Sequence, residues 1–217
     1  MKFISQFFKI DDISLHYKCE QKETEKKPLL LFHGYNPHNN SWRVWEQNLV
    51  GFVEFFSPYP IDLVGFGDSS KEAPFSIHDK TRQVEIVSMF IKTLKSKFFA
   101  VGGLSWGGTI GNELVKLFPD RISFCLLVST TLTPTTLASE IKEGLIPTIL
   151  VGCPQDPLVS FNNSIELAKI IPKSRIIEIN APSKLDMPPR AHHIQSLCPE
   201  EFNKRIGKEF RQILNIK

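Results

Sequence analysis

No stretch of this 217-residue chain approaches the length of a membrane span, and its N-terminal apolar residues are interrupted by Ser5, Gln6 and Lys9. Neither a spanning segment nor a signal peptide is therefore expected. An excess of charge of one sign is also lacking. The balance is +3 and spread along the chain, which leaves no footprint for nucleic acid or a membrane surface. The lysine-rich stretch 18–27 fits a solvated hairpin end or loop. Cysteine is scarce: Cys19, Cys125, Cys153 and Cys198 show no zinc-type pairing, and no two histidines have helical ligand spacing. No metal is expected, and a reducing, cytoplasmic compartment fits. Repeats and low-complexity linkers are missing too. With 41% hydrophobic residues the chain is long enough for one large core and short for two, so a single domain over 1–217 is expected.

What the sequence does have is Val101-Gly102-Gly103-Leu104-Ser105-Trp106-Gly107-Gly108, one serine between glycines where a strand pattern gives way to a helix pattern. A serine hydroxyl is a poor nucleophile until it is held in the open beside a base, and a sharp strand-to-helix turn does the holding. Such a turn crowds its flanks, and Gly103 and Gly107 suit them. Upstream, residues 97–101 form a short apolar run fit for a buried parallel strand. Downstream, Ile110, Leu114, Val115 and Phe118 repeat at helical spacing until Pro119-Asp120. A phosphate loop would need lysine after the second glycine, where Thr109 stands, and no glycine triplet has dinucleotide-binding spacing.

The remaining chain alternates strand and helix patterns. Residues 7–10 and 13–17 suggest an opening hairpin around Asp11-Asp12, and 28–32 a buried strand. A helix over 42–49 and an extended run through 52–56, leading to Asp62, follow. Ser76 is positioned to cap a helix striped by Val84, Val87, Ile91 and Leu94. Strands at 122–128, 148–152 and 175–179 are separated by helices near 137–142 and after Ser160, and 199–214 forms the last helix. This alternation predicts a mostly parallel sheet covered on both faces. Reacting groups in such sheets gather beyond the carboxyl ends of the strands. Three positions qualify there: Ser105, Asp156, and His192 or His193.

The order Ser, Asp, His is the one an α/β-hydrolase requires, and the chain resembles that superfamily nearly end to end. The likeness is carried by His33-Gly34-Tyr35, by Asp62-Leu63-Val64-Gly65-Phe66-Gly67-Asp68-Ser69, by Gly103 to Gly107, and by 152–159 and 192–203. It implies an α/β-hydrolase fold with an eight-stranded, mostly parallel sheet. It also implies Ser105 as nucleophile, Asp156 orienting a histidine base, and backbone N–H groups of Tyr35 and Trp106 as oxyanion donors. His33 then shapes the oxyanion loop, while Asp62 and Asp68 order the loop after their strand. His16, His38 and His78, which lack any partner pattern, are expected at the surface. In relatives the base lies seven residues before the proline of a P-E-x-F-type segment and follows a small residue. Counting from Pro199 selects His192, preceded by Ala191.

Two departures from the family pattern bear on substrate. Only residues 130–146 separate two neighbouring strands, room for one helix and no cap domain. In this the chain resembles the small capless group that includes the α/β-hydrolase-domain 14 proteins and some compact esterases. An open, shallow site follows, able to admit a bulky or carrier-borne acyl group. Residues 181–190, inserted before the histidine and stiffened by Pro182, Pro188 and Pro189, are expected to form a partial lid. The resemblance implies a serine hydrolase acting on an ester or thioester, with no metal or organic cofactor. The competing class is a non-catalytic ligand- or partner-binding protein of the same fold.

Overall fold

In a computed structural model of the chain, residues 2–22, 24–182 and 188–214 are described. The strands are β1 (Phe3–Ile10), β2 (Ile13–Glu20), β3 (Pro28–Phe32), β4 (Ser57–Ile61), β5 (Phe99–Leu104), β6 (Ile122–Val128), β7 (Thr148–Gly152) and β8 (Arg175–Glu178). The helices are α1 (Ser41–Trp45), α2 (Leu49–Phe52), α3 (Lys80–Thr93), α4 (Trp106–Leu117), α5 (Ser139–Lys142), α6 (Phe161–Ile170), α7 (Ile194–Leu197) and α8 (Pro199–Ile213). One eight-stranded sheet runs β1-β2-β4-β3-β5-β6-β7-β8. Its β1–β2 and β2–β4 pairs are antiparallel and the others parallel. This is the α/β-hydrolase fold.

The central strands are apolar on both faces, as a sheet sandwiched between helices requires. In β5, Phe99 and Val101 join one core cluster with Val87 and Phe90 of α3 and Ile110 and Leu114 of α4. Ala100 and Leu104 join the opposite cluster with Trp45 of α1, Phe52 of α2 and Phe202, Ile206 and Phe210 of α8. The alternation follows from the two-residue period of a strand.

Local departures from the sequence expectations have identifiable causes. The helix expected over 42–49 is broken into α1, a 3-10 turn at Glu46–Asn48, and α2. The expected extended run leading to Asp62 begins only at β4, and 52–56 is instead the close of α2 and the turn after it. Phe52, Phe55 and Phe56 all meet Phe210 there, with centroids 6.0, 5.3 and 5.2 Å away, so aromatic packing against α8 overrides the extended propensity. The cap of α3 is Asp79, not Ser76: its carboxylate accepts from the Thr81 and Arg82 N–H groups. Ser76 only closes the preceding turn, where its carbonyl accepts the Asp79 N–H. Between β6 and β7 the only helix is the four-residue α5.

Candidate active site

Ser105 sits between the last residue of β5 and the first of α4, with φ 53° and ψ −116°. Its N–H donates to the Val128 carbonyl at 2.8 Å, locking the turn to β6. The flanking glycines are obligatory. A Cβ on Gly103 would lie 2.1 Å from the carbonyl carbon of Gly107, and one on Gly107 would lie 2.5 Å from the Phe32 carbonyl oxygen. Trp106 opens α4, so its N–H is among the first-turn donors without an intrahelical acceptor.

Beyond β3, His33 is fully buried and its ring spans two loops. Nδ1 faces the Gly34 carbonyl oxygen at 2.9 Å, while the Leu63 N–H donates to Nε2 at 3.2 Å. The second contact makes Nε2 the acceptor, so Nδ1 carries the proton. Burial, opposed by that carbonyl and by Asp62, holds the His33 pKa below the ordinary histidine range, in keeping with a neutral ring. The Asn39 amide reaches the same Gly34 carbonyl at 3.4 Å. With this carbonyl tied down on one side of a trans peptide, the Tyr35 N–H is directed to the other. Sequence reasoning missed Asn39, although a polar side chain in a loop just past His33-Gly34 is a usual anchor for a carbonyl.

Beyond β7, Asp156 is 8% exposed and its Oδ2 lies 2.8 Å from Nδ1 of His192, itself 6% exposed. Its Oδ1 accepts from the N–H groups of Leu158 and Val159. Burial raises the Asp156 pKa, but the His192 hydrogen bond and the two backbone donors outweigh it and hold the carboxyl below its usual range. His193 does not reach Asp156. Its ring lies 5.7 Å from that of His192, and burial together with the His192 charge pushes its pKa down to about 4. The structure thus brings Asp156 and His192 together and places Ser105 at the elbow. Among the described residues the Ser105 hydroxyl has no hydrogen-bond partner, so the structure does not itself join Ser105 to His192.

A cleft of about 400 Å³ is lined by Arg190, His193, Ser196 and Leu197, with neither Ser105 nor Asp156 nor His192 among the described lining residues. A larger one, about 480 Å³, opens among Pro28, Ser57, Tyr59 and Phe90 at the amino ends of β3 and β4. The insertion expected as a partial lid falls partly outside the described residues, at 183–187.

His16 was expected at the surface and is instead 2% exposed, its Nδ1 2.9 Å from Oδ2 of Asp62. Asp62 Oδ1 also accepts from the Ser41 N–H at 2.7 Å and Oδ2 from the Asp68 N–H at 3.0 Å. Burial raises the Asp62 pKa, and these contacts, the His16 bond foremost, bring it below the usual carboxylate range. His16, Asp62 and Asp68 are also close enough to surround a cation. Both Asp62 oxygens are already engaged, so the group reads as a brace for the loop after β4.

Residues 27–143 match the α/β hydrolase fold family model, and the chain belongs to that family. Among solved structures it resembles a predicted CIB-like hydrolase from Thermoplasma acidophilum at 21% identity, covering 98% of this chain and 99% of that one with TM-score 0.82. A 2-hydroxy-6-oxo-6-phenylhexa-2,4-dienoate hydrolase from Rhodococcus sp. strain RHA1 matches at 14% identity over 97% and 99%, TM-score 0.80. A naproxen esterase from Bacillus subtilis matches at 14% over 96% and 92%, TM-score 0.77. At these identities the likeness fixes the fold alone. Among the described residues no helix is long and apolar enough to cross a membrane.

Proposed function

We propose that the protein is a serine hydrolase that cleaves a carboxylic ester or thioester through an acyl-enzyme on Ser105. The observation that carries the reading is the buried Asp156–His192 pair, 2.8 Å apart, on the same sheet end as the strained serine. Ser105 Oγ attacks the carbonyl carbon while His192 Nε2 takes its proton. Asp156 keeps the other proton on Nδ1 and stabilises the imidazolium. The oxyanion forms against the Tyr35 and Trp106 N–H groups. Collapse of this intermediate breaks the bond to the alcohol or thiol, which leaves with the proton from His192. A water, deprotonated by the same nitrogen, then attacks the acyl carbon, releases the acid and restores Ser105. No cofactor is needed for this proton traffic.

The short β6–β7 connection, with α5 alone, supports an affinity with the small capless esterases and an open site suited to a carrier-borne acyl group. The four free cysteines are in keeping with a reducing compartment such as the cytoplasm.

A fluorophosphonate probe tests the reading. It should label Ser105 covalently in wild-type protein and fail to label Ser105→Ala. Folded wild-type protein that resists the probe would contradict the proposal and favour a binding protein of the same fold. Para-nitrophenyl esters and acyl-thioesters of graded length then define the acyl group.

A further inference from the structure

His78, which lacks a partner pattern in the sequence, was expected at the surface, and it is exposed. It lies in the long connection between β4 and α3, and its Nε2 is 3.2 Å from the Tyr35 hydroxyl, 43 residues away. Its imidazole also covers the Tyr35 ring, with centroids 4.9 Å apart and planes inclined by 33°. Tyr35 in turn meets Trp106 at 5.7 Å and 88° and Phe66 at 5.7 Å and 78°. Phe66 and Trp106 close the set at 5.9 Å.

These rings belong to the two loops that carry the oxyanion donors and to the strap that follows β4. Phe66 is fully buried, yet Tyr35 remains 44% exposed. The apolar core therefore reaches solvent beside Ser105 as a fixed corner of aromatic surface. A lone exposed tyrosine needs no explanation. One held between an imidazole and two perpendicular rings, next to the nucleophile, has lost the freedom that solvent exposure would otherwise leave it. Such an arrangement is pre-organised for a flat apolar ligand, which gains stacking with little further ordering.

We infer that the corner formed by Tyr35, Phe66, Trp106 and His78 is an aromatic subsite that takes an arene or other planar apolar group of the substrate, with His78 as the positioning residue that holds the Tyr35 ring. The inference rests on Ser105 being the nucleophile. Because an ester can place its arene on either side of the carbonyl, both sides enter the test.

Two matched pairs isolate stacking from hydrophobicity: para-nitrophenyl 3-phenylpropanoate against its 3-cyclohexyl analogue, and benzyl acetate against cyclohexylmethyl acetate. Hydrophobicity alone favours the cyclohexyl member of each pair. The subsite predicts the reverse, a roughly threefold to tenfold higher kcat/KM for the phenyl member of one pair. His78→Ala should bring that ratio close to one, mainly through KM. His78→Gln, whose amide can donate to or accept from the Tyr35 hydroxyl, should restore part of the preference. Equal handling of both pairs, or a phenyl preference that survives His78→Ala, would overturn the subsite. Failure of the hydrolase reading is distinguishable, because 4-phenylbutan-2-one and 4-cyclohexylbutan-2-one report on the corner without turnover. In Ser105→Ala, ligand-observed NMR should show tighter binding of the phenyl ketone, and equal binding counts against the subsite whatever the chemistry.

Discussion

Among the described residues are two buried aspartate–histidine pairs of nearly the same geometry. Asp62–His16 spans 2.9 Å and Asp156–His192 spans 2.8 Å, each through imidazole Nδ1. In both, the carboxylate also accepts from two backbone N–H groups and sits below its ordinary pKa range. They differ in what lies beyond the far nitrogen. His16 Nε2 is buried with no hydrogen-bond partner, with the Phe7 ring 5.0 Å from the imidazole and the Asp68 carboxylate 3.9 Å from that nitrogen. His192 stands after the last strand, at the end of the sheet that presents Ser105. An aspartate–histidine contact is therefore no mark of catalysis by itself. The free nitrogen must face a place where a reacting atom can sit.

The comparison is broken or sharpened most strongly by substitution. Ser105→Ala should lower esterase turnover by about 10⁴- to 10⁶-fold in folded protein, because members of a triad act as a unit. Asp156→Asn should lower it by about 10⁴-fold, since an amide does not hold the imidazole in its working tautomer. His192→Ala should be nearly inactive while His193→Ala keeps turnover within severalfold of wild type. The reverse outcome would mean that the wrong ring has been read as the base. Asp62→Asn should behave in the opposite way: a loss of about 3 kcal/mol in denaturant-measured stability, from a buried group left facing its former donors, with turnover per folded molecule unchanged.

The smallest effect is a pH slope. His33 and His193 have lowered pKa values in the fold, that of His193 at about 4. The unfolded chain then binds protons that the native state refuses, so stability is lost as pH falls from about 6.5 toward that value. The depressed carboxyls of Asp62 and Asp156 add stability present above about 3.9 and lost as pH falls through their folded values. Thermal midpoints should thus begin to fall below about pH 6.5, and His193→Gln should flatten the slope between that pH and about 4.

The contrast also marks what a sequence can tell. The elbow was legible because its backbone leaves no room for a Cβ at Gly103 or Gly107, a demand written directly in residue type. The sheet was legible from alternating patterns, and α8 from Pro199 and its apolar stripe. His16 was not legible. It neighbours buried Leu15 on a strand with both faces covered, so alternation says nothing about exposure, and its partner lies 46 residues away. His78 is exposed, as expected, but its contact with Tyr35, 43 residues away, is made only by the fold. The turn over 52–56 was hidden because three phenylalanines answer to Phe210, on a helix formed at the far end of the chain.

The most direct test is the rate of fluorophosphonate labelling in Asp156→Asn and Asp62→Asn, measured side by side on protein shown by circular dichroism to be folded. The account predicts a fall of more than about 10³-fold for Asp156→Asn and a change of less than about threefold for Asp62→Asn. Wild-type labelling by Asp156→Asn, or collapse of labelling in folded Asp62→Asn, would contradict it.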